Sequence, residues 1–314
     1  MQAKKKLKSI FLTNNGTVIS DGAMGTELMR NTDKEYDSPL ELNFLAPASV
    51  SEIHQNYLEA GSNIINTNTF CANRLYLKKY DLADKVQKIN VKGAELAAGV
   101  KASYSSGSQT SEREILITGS VGPTGSEQAI FLDDRENQKQ VKKVFLEQIE
   151  YLIAGGVDII TFETFSYHKE LALAVEAASE KNIPYFVNMT FTNPTTTDYG
   201  STVEDLTQII EEYQGEQLLA AGINCITPDK SYRKTWKTLA RNLDNKLPIS
   251  VLYNAGEPEL NKDTGNMHYP EGESYYTEVE KFFEYMSEQN CIIGGCCGTT
   301  PETIKNLKEM FEIK

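Results

Sequence analysis

Eight short apolar runs punctuate the chain, and between them lie longer stretches whose apolar residues recur every three to four positions. The runs are Val18–Gly22, Asn63–Phe70, Ile115–Val121, Asp158–Thr164, Tyr185–Phe191, Leu219–Cys225, Ile249–Asn254 and Cys291–Cys296. Continuous rather than alternating apolar character marks strands buried on both faces, as in a parallel sheet. The intervening pattern predicts helices over Ala48–Ala60, Asp81–Lys101, Asn137–Ala154, His168–Lys181, Val203–Tyr213, Tyr232–Asn242, Tyr276–Gln289 and Glu302–Phe311. Gly61 is a stop signal for the first, and Pro301 stands at a first-turn position of the last. Strands alternating with helices in this way predict an α/β fold, a single (β/α)8 TIM barrel, a fold of about 250 residues. No Gly/Ser/Pro-rich linker interrupts the pattern, so residues 1–314 read as one domain.

Barrel enzymes build their sites at the C-terminal ends of the strands. In this register those positions hold Asp21, Asn66, Asn68, Ser120, Glu163, Asn188, Cys225, Tyr253, Asn254, Cys296 and Cys297. Two long polar segments, Asn193–Ser201 and Ala255–Ser274, follow the fifth and seventh runs, and a loop of that length in a compact domain is commonly functional. One of them is expected to cover the site.

Composition narrows the function classes. The chain is 40% hydrophobic and 24% charged, as soluble globular domains are. No run approaches the ~18 apolar residues of a membrane helix. Near the N-terminus the apolar segment is only Ile10–Leu12, too short for the ~7–15 residues of a secretory signal. A cytoplasmic protein is expected. A net charge of −13 argues against unaided binding to nucleic acid or an anionic membrane. Five cysteines are too few, and odd in number, for a disulfide framework.

In a reducing compartment, clustered cysteines bind metal or do chemistry. Cys225 ends the sixth run, and Cys296 and Cys297 end the eighth, so three thiolates from two strand ends can meet. Structural zinc sites fill four positions with protein ligands, whereas catalytic ones keep one open. Three sulfurs make the ion soft, so a thiol substrate suits the vacancy. The plainer alternative is two buried cysteines and a stray one. Adjacent cysteines on a regular strand point to opposite faces, so both can ligate only if the chain bends, with Gly294, Gly295 and Gly298 supplying the freedom. Asp21 and Glu163 are acids suited to gripping an ammonium group or to acid–base work; a helix N-cap for Asp21 and an ion pair for Glu163 are the structural alternatives. Backbone N–H groups from Gly22 to Gly25 can hold a carboxylate. The substrate-binding set is therefore Asp21, Gly22, Ala23, Ser120 and Glu163, and the ligand class that satisfies all three ends is an amino acid bearing a thiol. His54 and Trp236 read as packing residues and Cys291 as a small core residue. Cys71, His168 and His268 stay open between packing and a place at the site.

The motifs VISDGAMGTEL (Val18–Leu28), NTNTFCAN (Asn66–Asn73), FETF (Phe162–Phe165), GINC (Gly222–Cys225) and GGCCGTT (Gly294–Thr300) together resemble the homocysteine S-methyltransferase family, in order and over nearly the whole chain. The resemblance implies a zinc-dependent barrel that methylates homocysteine to methionine. By position it makes Cys225, Cys296 and Cys297 the zinc ligands. It places Asp21 and Gly22 at the amino acid end of homocysteine and Glu163 at its ammonium, with no catalytic side chain beyond the substrate thiolate. The segments NTNTFCANRL and YNAGEPEL look most like the homocysteine module of corrinoid-dependent methionine synthases. The donor would then be a methyl-corrinoid, with cobalamin carried on a separate protein, or a sulfonium such as S-methylmethionine. Betaine is disfavoured by Cys71, where betaine-dependent relatives carry an aromatic. Methylation of another thiol or a selenol such as selenocysteine, and a non-catalytic zinc-binding subunit docking a corrinoid protein, are the alternatives.

Overall fold

In the computed structural model, which describes residues 2–106, 113–126, 129, 131–244, 246–260, 262, 267–270 and 272–311, the apolar runs become a ring of parallel strands. They are β1 (Thr17–Ile19), β2 (Ile64–Asn66), β3 (Leu116–Val121), β4 (Ile159–Phe165), β5 (Tyr185–Met189), β6 (Leu218–Ile226), β7 (Ile249–Tyr253) and β8 (Cys291–Gly295). Their order is β1-β8-β7-β6-β5-β4-β3-β2. A parallel bridge between Ser20 and Ile64 joins the two ends, and the Asp21 N–H donates to Ile64 O at 3.0 Å. The sheet is thus a nearly closed (β/α)8 barrel. No helix among the described residues is long and apolar enough to cross a membrane.

The outer helices start and stop where local chemistry dictates. Pro47 opens Pro47–Ala60, and Gly61 ends it at φ +120°. Asp134 caps Arg135–Gly155 by accepting from the Glu136 and Asn137 N–H groups. Capping boxes, Thr202 with Asp205 and Thr300 with Thr303, start Val203–Glu212 and Pro301–Met310. Several expected boundaries shift: the first strand ends at Ile19 rather than Gly22, and the helix expected over Tyr276–Gln289 spans Glu273–Tyr285. The helix expected from Asp81 begins at Val86, because Asp81 is left-handed (φ 53°) and closes a separate turn. The second strand ends at Asn66 rather than Phe70. Beyond it Thr67 and Thr69 bond to each other through their hydroxyls (2.6 Å), and Asn68 donates to Pro39 O and Asn43 Oδ1. Such side-chain bonding draws the chain out of the ladder.

A helix at Gln2–Thr13 lies outside the expected set. Its Ala3, Leu7, Ile10 and Phe11 fall on one face and pack against Val18, Ile64, Leu116, Ile159, Phe186, Leu219 and Ile292 from the lower ends of the strands. This helix plugs the floor of the barrel. Asp158 fastens it there, taking Lys101 Nζ at 2.7 Å and the Ile117 N–H at 3.0 Å, with Lys6 Nζ at 3.7 Å.

Above the apolar floor the interior turns polar. Asn66 donates to Ser20 Oγ, Thr118 to Asn66 Oδ1, and Ser250 to Asn188 Oδ1. Ser20, Asn66, Asn188 and Ser250, with Thr161 and Glu163, border a cavity of ≈ 20 Å³, about the space of one water.

Candidate active site at the mouth of the barrel

Cys225 is placed by a fault in its strand. Asn224 pairs with Leu252 and Ile226 with Tyr253, so Cys225 is an extra residue between them, at φ 54°. A bulge of this kind re-aims one side chain and ends regular pairing. The left-handed conformation costs a non-glycine residue about 1–2 kcal/mol. β4 carries a matching fault. Its register with β5 slips between Phe162 and Phe165, and Thr164 takes φ 60°. Glu163 lies inside that slip.

Cys296 and Cys297 follow β8 on a turn. The Cys296 N–H still bonds Tyr253 O at 2.8 Å, and Cys297 O accepts from the Ala255 N–H at 2.9 Å. The bend falls at Gly298, with φ +82°. Gly294 and Gly295 do not supply it, contrary to expectation: neither has a positive φ. Gly295 is needed for space instead, since a Cβ there would meet Thr299 Oγ1 at 2.1 Å. Thr299 in turn accepts from the Ala23 N–H (3.1 Å) and donates to Cys296 O (2.7 Å). Tyr57 Oη donates to Ala23 O (2.8 Å), and the first and last βα turns are joined as one unit.

These devices bring the three sulfurs together. Cys225 Sγ and Cys297 Sγ lie 3.8 Å apart, and all three fall within 4.8 Å of one another. Sulfurs bound to one tetrahedral ion at ~2.3 Å would sit about 3.8 Å apart, so the cluster fits a metal of that size. Cys297 is held low, chiefly by bonds from Cys225 and then Cys296, and Tyr269 also bonds it. Cys296 is pushed well up by its bonds to Cys225 and Cys297.

Asp21 is buried and Glu163 half-buried at this mouth. Asp21 caps no helix: it accepts from the Asn66 N–H (2.7 Å) and Asn66 Nδ2 (2.6 Å). Burial still raises its carboxyl to about 7 against those bonds. Glu163 forms no ion pair among the described residues; Ser120 Oγ donates to it at 2.5 Å. Burial raises it to about 7 as well, with the Cys297 charge adding to the effect. Two carboxylates without cations in a polar pocket are an arrangement for receiving one. Gly22 is half-exposed beside them. The Ala23 N–H is committed to Thr299, so Ala23 organises the loop rather than offering a free donor.

Among the described residues none of the other candidates joins the sulfur cluster, though Cys71 lies near enough to Glu163 to feel its charge. Cys71 is buried, with its thiol at 3.6 Å from Pro123 O. Cys291 is a core residue beside Thr17, and His54 is buried. Trp236 is buried in packing, bonded through Nε1 to Tyr253 Oη at 3.0 Å. His168 Nδ1 meets Ser201 Oγ at 2.9 Å and ties down the Asn193–Ser201 loop. His268 is exposed in a short hairpin, Glu259–Leu260 with Met267–His268. Part of the Ala255–Ser274 loop lies outside the described residues. Its described end brings Tyr269 against Cys297 and Gly298, so this loop borders the sulfurs. Tyr269, Asn66 and Asn224 are the site residues that sequence reasoning passed over or left without a role. Asn224 stood beside Cys225 in GINC, a signal that was available.

The family model described as homocysteine S-methyltransferase matches residues 18–311. The chain belongs to the homocysteine S-methyltransferase family. Among its relatives is the methionine synthase of Mycobacterium tuberculosis (strain ATCC 25618 / H37Rv), 29% identical over 92% of this chain but only 24% of the relative. The chain thus spans about a quarter of the length of the methionine synthases it matches. The selenocysteine Se-methyltransferase of Brassica oleracea var. italica is 27% identical, over 95% of this chain and 90% of that protein. Homocysteine S-methyltransferase 3 of Arabidopsis thaliana is 26% identical, over 94% and 90%. The metallated form of the homocysteine methyltransferase MmuM from Escherichia coli shares the fold. Its TM-score is 0.75 at 21% identity, covering 97% of this chain and 99% of that one.

Proposed function

We propose that this homocysteine S-methyltransferase family member transfers a methyl group to the thiolate of L-homocysteine, giving L-methionine, with zinc held by Cys225, Cys296 and Cys297. The observation that carries the reading is the juxtaposition of three convergent sulfurs with two acids, Asp21 buried and Glu163 half-buried, that have no cation beside them among the described residues. Bound zinc would lower the substrate thiol's pKa and keep it a soft nucleophile. The chain's own groups do the rest. Asp21 and Glu163 bind the ammonium, Ser120 orients Glu163, and the Gly22 end of the first turn faces the carboxylate. The thiolate then attacks the methyl carbon: a sulfur–carbon bond forms as the donor's bond to that carbon breaks, with its electron pair leaving on the donor. The thiol proton has gone before this step, so no general base is required.

The donor is a methyl-corrinoid carried by a separate protein or a sulfonium such as S-methylmethionine. A selenol acceptor is the second reading, favoured by the near full-length match to a plant protein named for selenocysteine. The deciding experiment gives purified zinc-loaded protein homocysteine or selenocysteine with S-methylmethionine, S-adenosylmethionine, betaine or methylcobalamin, and follows methylated product. Methionine from homocysteine with one donor is expected. Product from selenocysteine alone would transfer the assignment, and no methylation with any pair would sink it.

A further inference from the structure

Two strained residues flank the site, and one side chain joins them. Thr164 follows Glu163 at φ 60°, and Cys225 follows Asn224 at φ 54°. Neither is glycine, and Thr164 is β-branched, which makes a left-handed backbone a genuine outlier held by its surroundings. Asn224 is fully buried. Its Oδ1 accepts from the Thr164 N–H at 2.8 Å, and its Nδ2 donates to Thr164 Oγ1 at 2.9 Å. The carboxamide therefore satisfies both donor and acceptor needs of the one residue whose conformation aims Glu163, while its own backbone leads into Cys225. Thr190, just past β5, makes a parallel tie. Its N–H donates to Phe165 O at 2.9 Å and its hydroxyl to Cys225 O at 3.2 Å.

We propose that Asn224 is a positioning residue, a clamp that locks the bulge at Glu163 to the bulge at Cys225 and so sets the spacing between the acidic end of the site and its sulfur end. The inference rests on the proposed function for the meaning of those two ends. Losing the carboxamide leaves the Thr164 N–H without its partner in a half-buried place, and the cheapest relief is for Thr164 to return to extended backbone. That relaxation swings Glu163 and loosens Cys225 together, although Asn224 touches neither the substrate nor the metal.

The test measures zinc affinity by chelator competition, which needs no methyl donor, alongside homocysteine KM, kcat and Tm. Asn224→Ala is expected to weaken zinc binding about 10–100-fold, as loss of a ligand's supporting contact does, and to raise KM more than it lowers kcat. Thr164→Gly adopts a positive φ without strain. In the Asn224→Ala background it should therefore recover several-fold in both zinc affinity and KM, without raising Tm. Additive losses in the double variant, or zinc affinity of Asn224→Ala within twofold of wild type, would overturn the clamp. Should Asn224→Ala fail to fold, Thr164→Val and Thr164→Ser decide. Valine removes the hydroxyl that meets Nδ2 and should weaken zinc binding about three- to tenfold, consistent with one lost hydrogen bond, while serine stays within twofold. Equal behaviour of valine and serine overturns the proposal. A wild-type chain that holds zinc but never methylates homocysteine defeats the functional reading alone, because the zinc measurements still judge the clamp.

Discussion

The floor and the mouth of the barrel are built from the same strands and obey opposite rules. At the floor, every strand but β7 contributes an apolar residue, a slip between β5 and β6 at Phe186 leaves that layer apolar, and the Gln2–Thr13 helix seals it. At the mouth, β4 and β6 lose register, two non-glycine residues take left-handed backbone, and buried or half-buried acids and thiols gather with no cation beside them among the described residues. Packing is satisfied below and withheld above. The difference separates residues that hold the fold from residues that hold a ligand, and substitutions at the two ends should have effects of different kinds.

The largest effect is expected at the sulfurs. Cys225→Ser should strip zinc, measured by metal analysis after gel filtration, and lower methionine formation by more than about 100-fold, beyond what loss of a mere supporting contact does. The ligand-free chain should keep its Tm within a few degrees. Retention of one zinc per chain with full activity would remove the sulfur cluster from the chemistry. At the floor, Leu7→Ala should destabilise by about 2–4 kcal/mol through lost burial and a cavity, read by denaturant unfolding, and leave homocysteine KM within twofold. A raised KM there would show that the two ends are not separable.

The floor was legible in part and the mouth unevenly, for physical reasons. Apolar runs such as Ile292–Ile293 announce buried strands, and Cys225, Cys296 and Cys297 announce soft-metal chemistry by their residue type. The Gln2–Thr13 helix escaped because four spaced apolar residues are diluted by five lysines or serines at Lys4–Lys6, Lys8 and Ser9, and only the floor gives that face a partner. The NTNTF segment misled because alternating polar and β-branched residues suit a strand, whereas here its hydroxyls and amides bond locally. The bulges at Glu163 and Cys225 leave no compositional trace, since neither Thr164 nor Cys225 is a residue that favours positive φ. Such faults arise from pairing between strands far apart in the chain, which periodicity does not encode.

A middle-sized effect sharpens the contrast at Glu163. Glu163→Gln keeps the shape and the Ser120 hydroxyl contact while removing the charge. Homocysteine KM should rise about 10–100-fold, the worth of a charge-assisted hydrogen bond of ~1.5–3 kcal/mol, as measured by steady-state kinetics with zinc and donor saturating. Above pH 7 the ligand-free variant should be more stable than wild type, because an ionised carboxylate is no longer buried. An unchanged KM would leave Glu163 a structural acid like those of the floor.

The smallest effect is a pair of opposed pH slopes. Asp21 and Glu163 are both raised by burial to about 7, from 3.8 and 4.5. A folded pKa above the unfolded one means these groups contribute stability fully below the unfolded value and lose it as pH rises through the folded value. The ligand-free protein should therefore lose stability from about pH 4 upward and level off above about pH 7, relative to the Asp21→Asn/Glu163→Gln variant. An ammonium ligand reverses the sign, because it favours the ionised acids. Methionine, which has no thiol to titrate, should bind more tightly over the same interval, by up to about tenfold per pH unit for each group that must lose a proton. Calorimetric binding of methionine and thermal unfolding without it, from about pH 4 to 8, check both slopes. Binding that stays flat while stability falls would mean that the acids are buried but do not grip the amino group. Opposed slopes tie the strain of the mouth to the ligand it was left open to receive.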